Sequence, residues 1–248
     1  MASSIKGIFK MKTAVLLSGH YRTFDQCKDY LIPELNKKFN PDYFINTYIE
    51  KYNYHPCVSA AIGCTNEEHI SEDMFIGLNY RSSLFDSLDY ANTIFEKESV
   101  NFSPAMWSNS RSHFLHIWKL ISGLDLIQKY EREILQGEQY DCVVICRMDV
   151  IPKDLSRLDF SDYQNSVYLT KSHIPQACDH ILISTKGNLY RMLLWMYAEF
   201  FRYSNFTSNT VMPHTLFDNG INYLGLSRID YPILDYVLRY GGTKDIEA

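Results

Sequence analysis

Much of what would classify this chain at sight is missing from it. No apolar run in its 248 residues approaches the roughly 18 needed to span a bilayer, so no transmembrane segment is expected. The N-terminal stretch MASSIKGIFKMKTAVLL does not read as a signal peptide, because Lys6, Lys10 and Lys12 interrupt the apolar region such a peptide requires. Basic charge is not in excess: the formal net charge is -5 and the lysines and arginines are scattered. No nucleic-acid-binding face is therefore expected, although a local basic pocket for a small anion fits this balance. The six cysteines, at 27, 57, 64, 142, 146 and 178, form neither a CxxC pair nor a Cys/His zinc spacing. Cys142 and Cys146 are expected on one strand. Four residues at about 3.3 Å each then hold them roughly 13 Å apart, too far for a disulfide. Reduced thiols and a cytoplasmic location are the expectation. The phosphate loop GxxxxGK, the dinucleotide fingerprint GxGxxG, the zinc-protease HExxH and the hydrolase elbow GxSxG are all absent. There is no internal repeat and no low-complexity tract.

What remains is a chain of 46% hydrophobic and 21% charged residues, long enough to bury a full core. One α/β domain over residues 11–248 is expected, after an extension over residues 1–10. Residues 13–18 (TAVLLS) form a short apolar run ending at Gly19, the mark of a buried strand. A helix is expected from Tyr21 to about Lys38, disturbed by Pro33, and then a strand over 42–48 (DYFINTY). Strand, helix and strand in that order imply a parallel crossover. Residues 50–105 show no long period and are expected to be loops and short elements. From Ser112, the spacing of Phe114, Ile117, Trp118, Ile121, Leu124 and Ile127 predicts a long helix, with Gly137 just past its end. Strands are expected over 140–148, 166–170 and 180–184. Leu189, Met192, Leu193, Met196 and Phe200 line one face of a helix over about 188–203 and read as core. A short helix is expected near Thr215, and the tail from Asp230 as a peripheral strand or helix.

Four stretches carry candidate chemistry. In LLSGHYR, Ser18 and Gly19 end a strand with accessible backbone N–H groups, and Arg22 offers a fork of donors suited to phosphate. The other reading is a plain strand-to-helix turn with a surface arginine. In YDCVVICRMDVIP, Arg147 and Asp149 stand two apart where an apolar strand runs out, so they share a face if the strand persists. The carboxylate can hold a metal and the guanidinium a phosphate; equally, the two can neutralise each other. Asp179 and His180 open the next apolar strand, and one of them can serve as a base or ligand. His214 and Asp218, four apart, share a helical face, with a structural role the ordinary reading for a lone histidine.

Taken together, the order SGHYR, helix, NPDYFINTY, long helix, YDCVVICRMDV, CDHILIST resembles GT-A-type glycosyltransferases of the kind encoded with surface polysaccharides in bacteria and in some large viruses. The resemblance covers roughly residues 13–225 and is most specific over 140–149. It implies a Rossmann-like GT-A sheet, mostly parallel and flanked by helices. It implies an enzyme that moves a sugar from a nucleotide-sugar donor to a glycan or other hydroxyl acceptor. Ser18, Gly19, Arg22, Arg147 and Asp149 would face the donor. Asp149 would also hold a metal, Mn²⁺ or Mg²⁺, bound with the donor. Asp149 and Asp179 are the implied catalytic residues, Asp179 as the base for the acceptor hydroxyl. The family's D-x-D motif falls on Arg147-Met148-Asp149, so an arginine stands where the first carboxylate would be. That departure keeps a second expectation open: a non-catalytic nucleotide-sugar or polysaccharide-binding protein.

Overall fold

The computed structural model describes residues 11–21, 23–50, 69–98, 107–152, 154–170, 178–206, 213–231, 234–238 and 244–246. Its centre is a seven-stranded sheet made of β1 (Thr13–Gly19), β2 (Asp42–Tyr48), β3 (Tyr80–Asp86), β4 (Cys142–Arg147), β6 (Ser166–Thr170), β7 (Cys178–Ser184) and β8 (Ser227–Tyr231). The spatial order is β3-β2-β1-β4-β7-β6-β8. β7 pairs antiparallel with both β4 and β6, while every other pairing in this sheet is parallel. The expected Rossmann-like, mostly parallel α/β sheet is therefore present. Six strands end at one edge, and the start of β7 lies at that same edge. A second, three-stranded sheet joins β5 (Val150–Pro152), β9 (Leu234–Leu238) and β10 (Lys244–Ile246).

The helices cover both faces, as the apolar central strands require. Ala14, Val15, Leu16 and Leu17 of β1 are all fully buried, which a strand achieves only with cover on each side. On one side lies α1 (Phe24–Phe39), whose Phe24, Cys27, Leu31 and Leu35 recur at helical spacing and pack with Val15, Leu17 and Val144. Asn40 ends it in the left-handed region at φ 44, its N–H bonded to the Asn36 carbonyl. Pro33 lies inside this helix without ending it. The other face is covered by α3 (Trp107–Glu133) and α4 (Lys186–Phe206), with α2 (Leu88–Glu98) and α5 (Pro213–Tyr223) packed on them. Leu16, Phe44, Val143, Ile117, Leu124 and Met192 belong to this second core. Among the described residues no helix is long and apolar enough to cross a membrane.

Two expectations need correction. Residues 50–105 contain more than short elements, since β3 and α2 are both there and β3 is part of the main sheet. The tail from Asp230 is peripheral strand, as expected: β8, which starts at Ser227, pairs with β6 at the sheet edge, and β9 and β10 lie in the second sheet. Both β3 and β8 are sheet edges, held on one side only, and their sequences YRSSLFD and SRIDY lack the apolar run that marked the central strands. Finally, β4 stops at Arg147. Met148 and Asp149 form a turn into β5, so the strand does not persist through Asp149.

Candidate functional site

The edge where β1, β2, β3 and β4 end collects the polar side chains that the cores exclude. Register places Ser18 of β1 opposite Asn46 of β2 and Arg147 of β4, so these three form one cross-strand row on one face. Gly19 follows at φ 110, a conformation side chains rarely adopt, while nothing crowds the place of its missing Cβ. Its glycine identity is therefore set by the backbone turn out of the strand. The Ser18 hydroxyl, the Thr47 hydroxyl and the Asn46 carboxamide oxygen are all buried without a hydrogen-bond partner among the described residues. Three such atoms at adjacent strand ends are uncommon, because a buried polar group left unsatisfied is costly.

Arg147 and Asp149 form a two-pronged ion pair across the turn after β4. Nε donates to Oδ1 at 2.9 Å and Nη2 to Oδ2 at 2.6 Å. The Asp149 side chain is 3% exposed and the Arg147 side chain 20%, so the arginine is the more exposed member of the pair. Such fork-to-fork geometry fixes both side chains. The turn, rather than continued strand pleating, brings the two charges together.

A second polar knot lies one strand over, and the sequence did not announce it. Lys119 of α3 is 1% exposed, yet its ammonium donates to the Thr47 carbonyl at 2.7 Å and to Asp86 at the end of β3 at 2.7 Å. It also sits 4.5 Å above the centre of the Tyr48 ring. Burial outweighs the neighbouring Asp86 carboxylate and pulls the Lys119 pKa down to about 8. The Asn46 amide donates to the Lys119 carbonyl and to Ser122, tying β2 to α3. His20, the residue after Gly19, lies with its ring 4.7 Å from that of Tyr48. A lysine in the apolar run FLHIWKLISGL was the only sequence signal for this knot.

The expected site residues therefore divide. Ser18, Gly19, Arg147 and Asp149 meet at one edge. Asp179 is the second residue of β7, and its backbone is at that edge because β7 runs antiparallel to β4; its side chain lies outside the described residues. Continuing the β4–β7 register by one pair sets the buried His180 opposite Arg147. Arg22 lies outside the described residues, as does the His214 side chain. Asp218 pairs with Arg228 of β8 at 2.5 Å and ties α5 to the sheet.

Three buried thiols, Cys27, Cys142 and Cys146, are inert. Burial pushes Cys27 and Cys142 up to about 12, and Cys146 higher still. The Asp149 carboxylate adds to the rise at Cys27 and Cys146, so none of these is a thiolate at neutral pH. Nor do the described side chains suit a metal as they are arranged. Among them no group of three or more His, Cys, Asp or Glu is placed to hold an ion. Asp149, the expected ligand, has both oxygens on a guanidinium that would repel a cation. Two open grooves line the outer side of α1, around Pro33, and touch none of the strand-end residues above.

The fold and this edge together define an α/β protein with polar side chains gathered at its strand ends, the edge at which ligands of open α/β sheets bind. No protein-family model matches the chain, and no curated protein matches it.

Proposed function

We propose that the protein is a glycosyltransferase that takes a sugar from a nucleotide-sugar donor at the edge formed by β1, β2 and β4, and passes it to a hydroxyl acceptor. The observation that carries this reading is the Arg147–Asp149 pair at the end of buried β4, beside the Ser18 hydroxyl, which has no partner among the described residues. The chemistry has two needs. A departing nucleoside diphosphate gathers negative charge, which cations and preorganised donors stabilise. A sugar hydroxyl is a poor nucleophile, which a base improves. Arg147 and Ser18 supply a guanidinium and a hydroxyl for the first need, with the Gly19 backbone extending the same donor face along the β1 turn; Arg22, outside the described residues, is kept as a donor-binding residue from the sequence resemblance alone. Asp149, once off the guanidinium, accepts from donor sugar or ribose hydroxyls. Asp179, at the start of β7, is the base for the acceptor.

Arg147, standing where the D-x-D pattern has its first carboxylate, supplies a positive charge of the protein's own. Mn²⁺ or Mg²⁺ is therefore expected only weakly, and only with donor present. The test is release of nucleoside diphosphate from a panel of nucleotide sugars, with and without glycan acceptors and Mn²⁺. Acceptor-dependent release supports transfer. The second reading, a nucleotide-sugar-binding protein without catalysis, draws on the engagement of both Asp149 oxygens by Arg147. Binding of donor with no release under any of these conditions favours it.

A further inference from the structure

Asp149 grips the Nε/Nη2 edge of Arg147 with two nearly parallel hydrogen bonds, at 2.9 and 2.6 Å. That edge is also the one a phosphate takes, because guanidinium matches carboxylate and phosphate oxygens in the same bidentate manner. The arginine is the more exposed of the two, so a ligand arriving from solvent meets the guanidinium before the carboxylate. Next to it in the sheet register is Ser18, on the same face, with a hydroxyl that is buried and has no partner among the described residues. Nothing in the packing of the described residues explains leaving that hydroxyl unsatisfied beside a guanidinium held by a carboxylate. An anion lying across Arg147 and Ser18 does explain it.

We propose that Asp149 is a built-in stand-in for a diphosphate, and that ligand binding is an exchange in which the diphosphate takes the Arg147 edge and displaces the carboxylate. No covalent bond changes in this step. Two N–H···O hydrogen bonds to a carboxylate are replaced by two to phosphate oxygens, and the Ser18 hydroxyl gains an acceptor. Displacing a nearly buried carboxylate beside an incoming anion is unfavourable, and that cost is what gives the device its use. A small anion that contacts only the guanidinium cannot offset it, whereas a ligand with further contacts along the β1 and β2 ends can. The site thus rejects free phosphate and pyrophosphate by competition from within, a form of selectivity through a repulsive element. The identification of the natural ligand rests on the donor reading above; the exchange itself does not.

The test uses inorganic pyrophosphate as the probe, in the full chain, without divalent metal and at fixed ionic strength. Calorimetric titration compares wild type, Asp149→Asn, and the double variant Arg147→Met/Asp149→Asn, each checked for cooperative melting. The Asn side chain keeps the shape but removes the competing charge, so pyrophosphate should bind on the order of tenfold more tightly than to wild type, a modest share of what close charge pairs contribute. The double variant, which removes the guanidinium along with the competing charge, should lose this binding. Equal or weaker binding in Asp149→Asn overturns the proposal, since Asp149 is then no competitor. Binding retained in the double variant overturns it too, since Arg147 is then not the seat. Sugar transfer is not part of this readout. A protein that exchanges pyrophosphate in this way but releases no nucleoside diphosphate from any donor defeats the proposed reaction and leaves the exchange standing.

Discussion

Arg147 and Asp149 were visible as a pair in the sequence, but what joins them was not. Spacing of two on a strand suggests a shared face, whereas the structure ends the strand at Arg147 and lets a turn close the pair. The outcome expected of Asp149→Asn is a fall in sugar transfer of at least about 100-fold, the scale seen when one preorganised electrostatic contact is lost. Near-normal transfer by a folded Asp149→Asn protein would remove it from the catalytic account. Lys119 offers a residue-scale test that needs no substrate. Its pKa lies at about 8 in the folded protein against an ordinary value of 10.5, because burial disfavours the ammonium. Between those two values the unfolded chain holds a proton the folded protein has lost. Stability contributed at this site therefore rises as pH climbs from about 8 towards 10.5. Urea unfolding of wild type and Lys119→Met across that window should show the wild type gaining relative to the variant. A difference that does not change with pH would mean that the ammonium is not disfavoured there.

At the level of elements, legibility followed burial. The central strands β1, β2 and β4 have continuous apolar runs and were read within one or two residues, as was β6. The edge strands β3 and β8 are held mainly by backbone pairing on one side, so their polar sequences gave no such mark. The same logic hid the Lys119 knot: its partners come from β2 and β3, and no local pattern links them to α3. How closely α3 lies on the sheet depends on Gly123. A Cβ there would meet Leu16 Cδ2 at 2.5 Å, Leu16 Cδ1 at 2.9 Å and Asn46 Nδ2 at 3.1 Å. Leu16 is fully buried, so its side chain cannot swing out into solvent. Gly123→Ala should therefore destabilise the protein by about 1–2 kcal/mol in denaturant unfolding, as overpacking outweighs the gain of up to about 1 kcal/mol in helix propensity. A stabilised variant would show that α3 can lift from β1 at little cost.

For the whole molecule, the sheet order puts the ends of four parallel strands side by side, and the reversal of β7 brings a fifth element's start to the same edge. That convergence was not legible, because strand order depends on contacts between distant segments. Polar residues that looked like isolated strand endings become one site only once the order is known. The site's charge balance then sets its metal behaviour. With both Asp149 oxygens on Arg147, Mn²⁺ titrated into the protein alone should give no tight binding in calorimetry. Tight binding to the ligand-free protein would mean that the pair opens easily and that the arginine does not stand in for the ion.

The most direct test of the central claim is thermal unfolding with a panel of nucleotide sugars, wild type beside Arg147→Met/Asp149→Asn. A ligand at 100 times its dissociation constant stabilises by about 2.7 kcal/mol, which corresponds to a shift of about 5–10 °C for a domain of this size. The predicted result is a shift of that order in wild type with at least one nucleotide sugar, absent from the double variant. No shift with any member of the panel, or a shift that survives in the double variant, would contradict a donor site built on the end of β4.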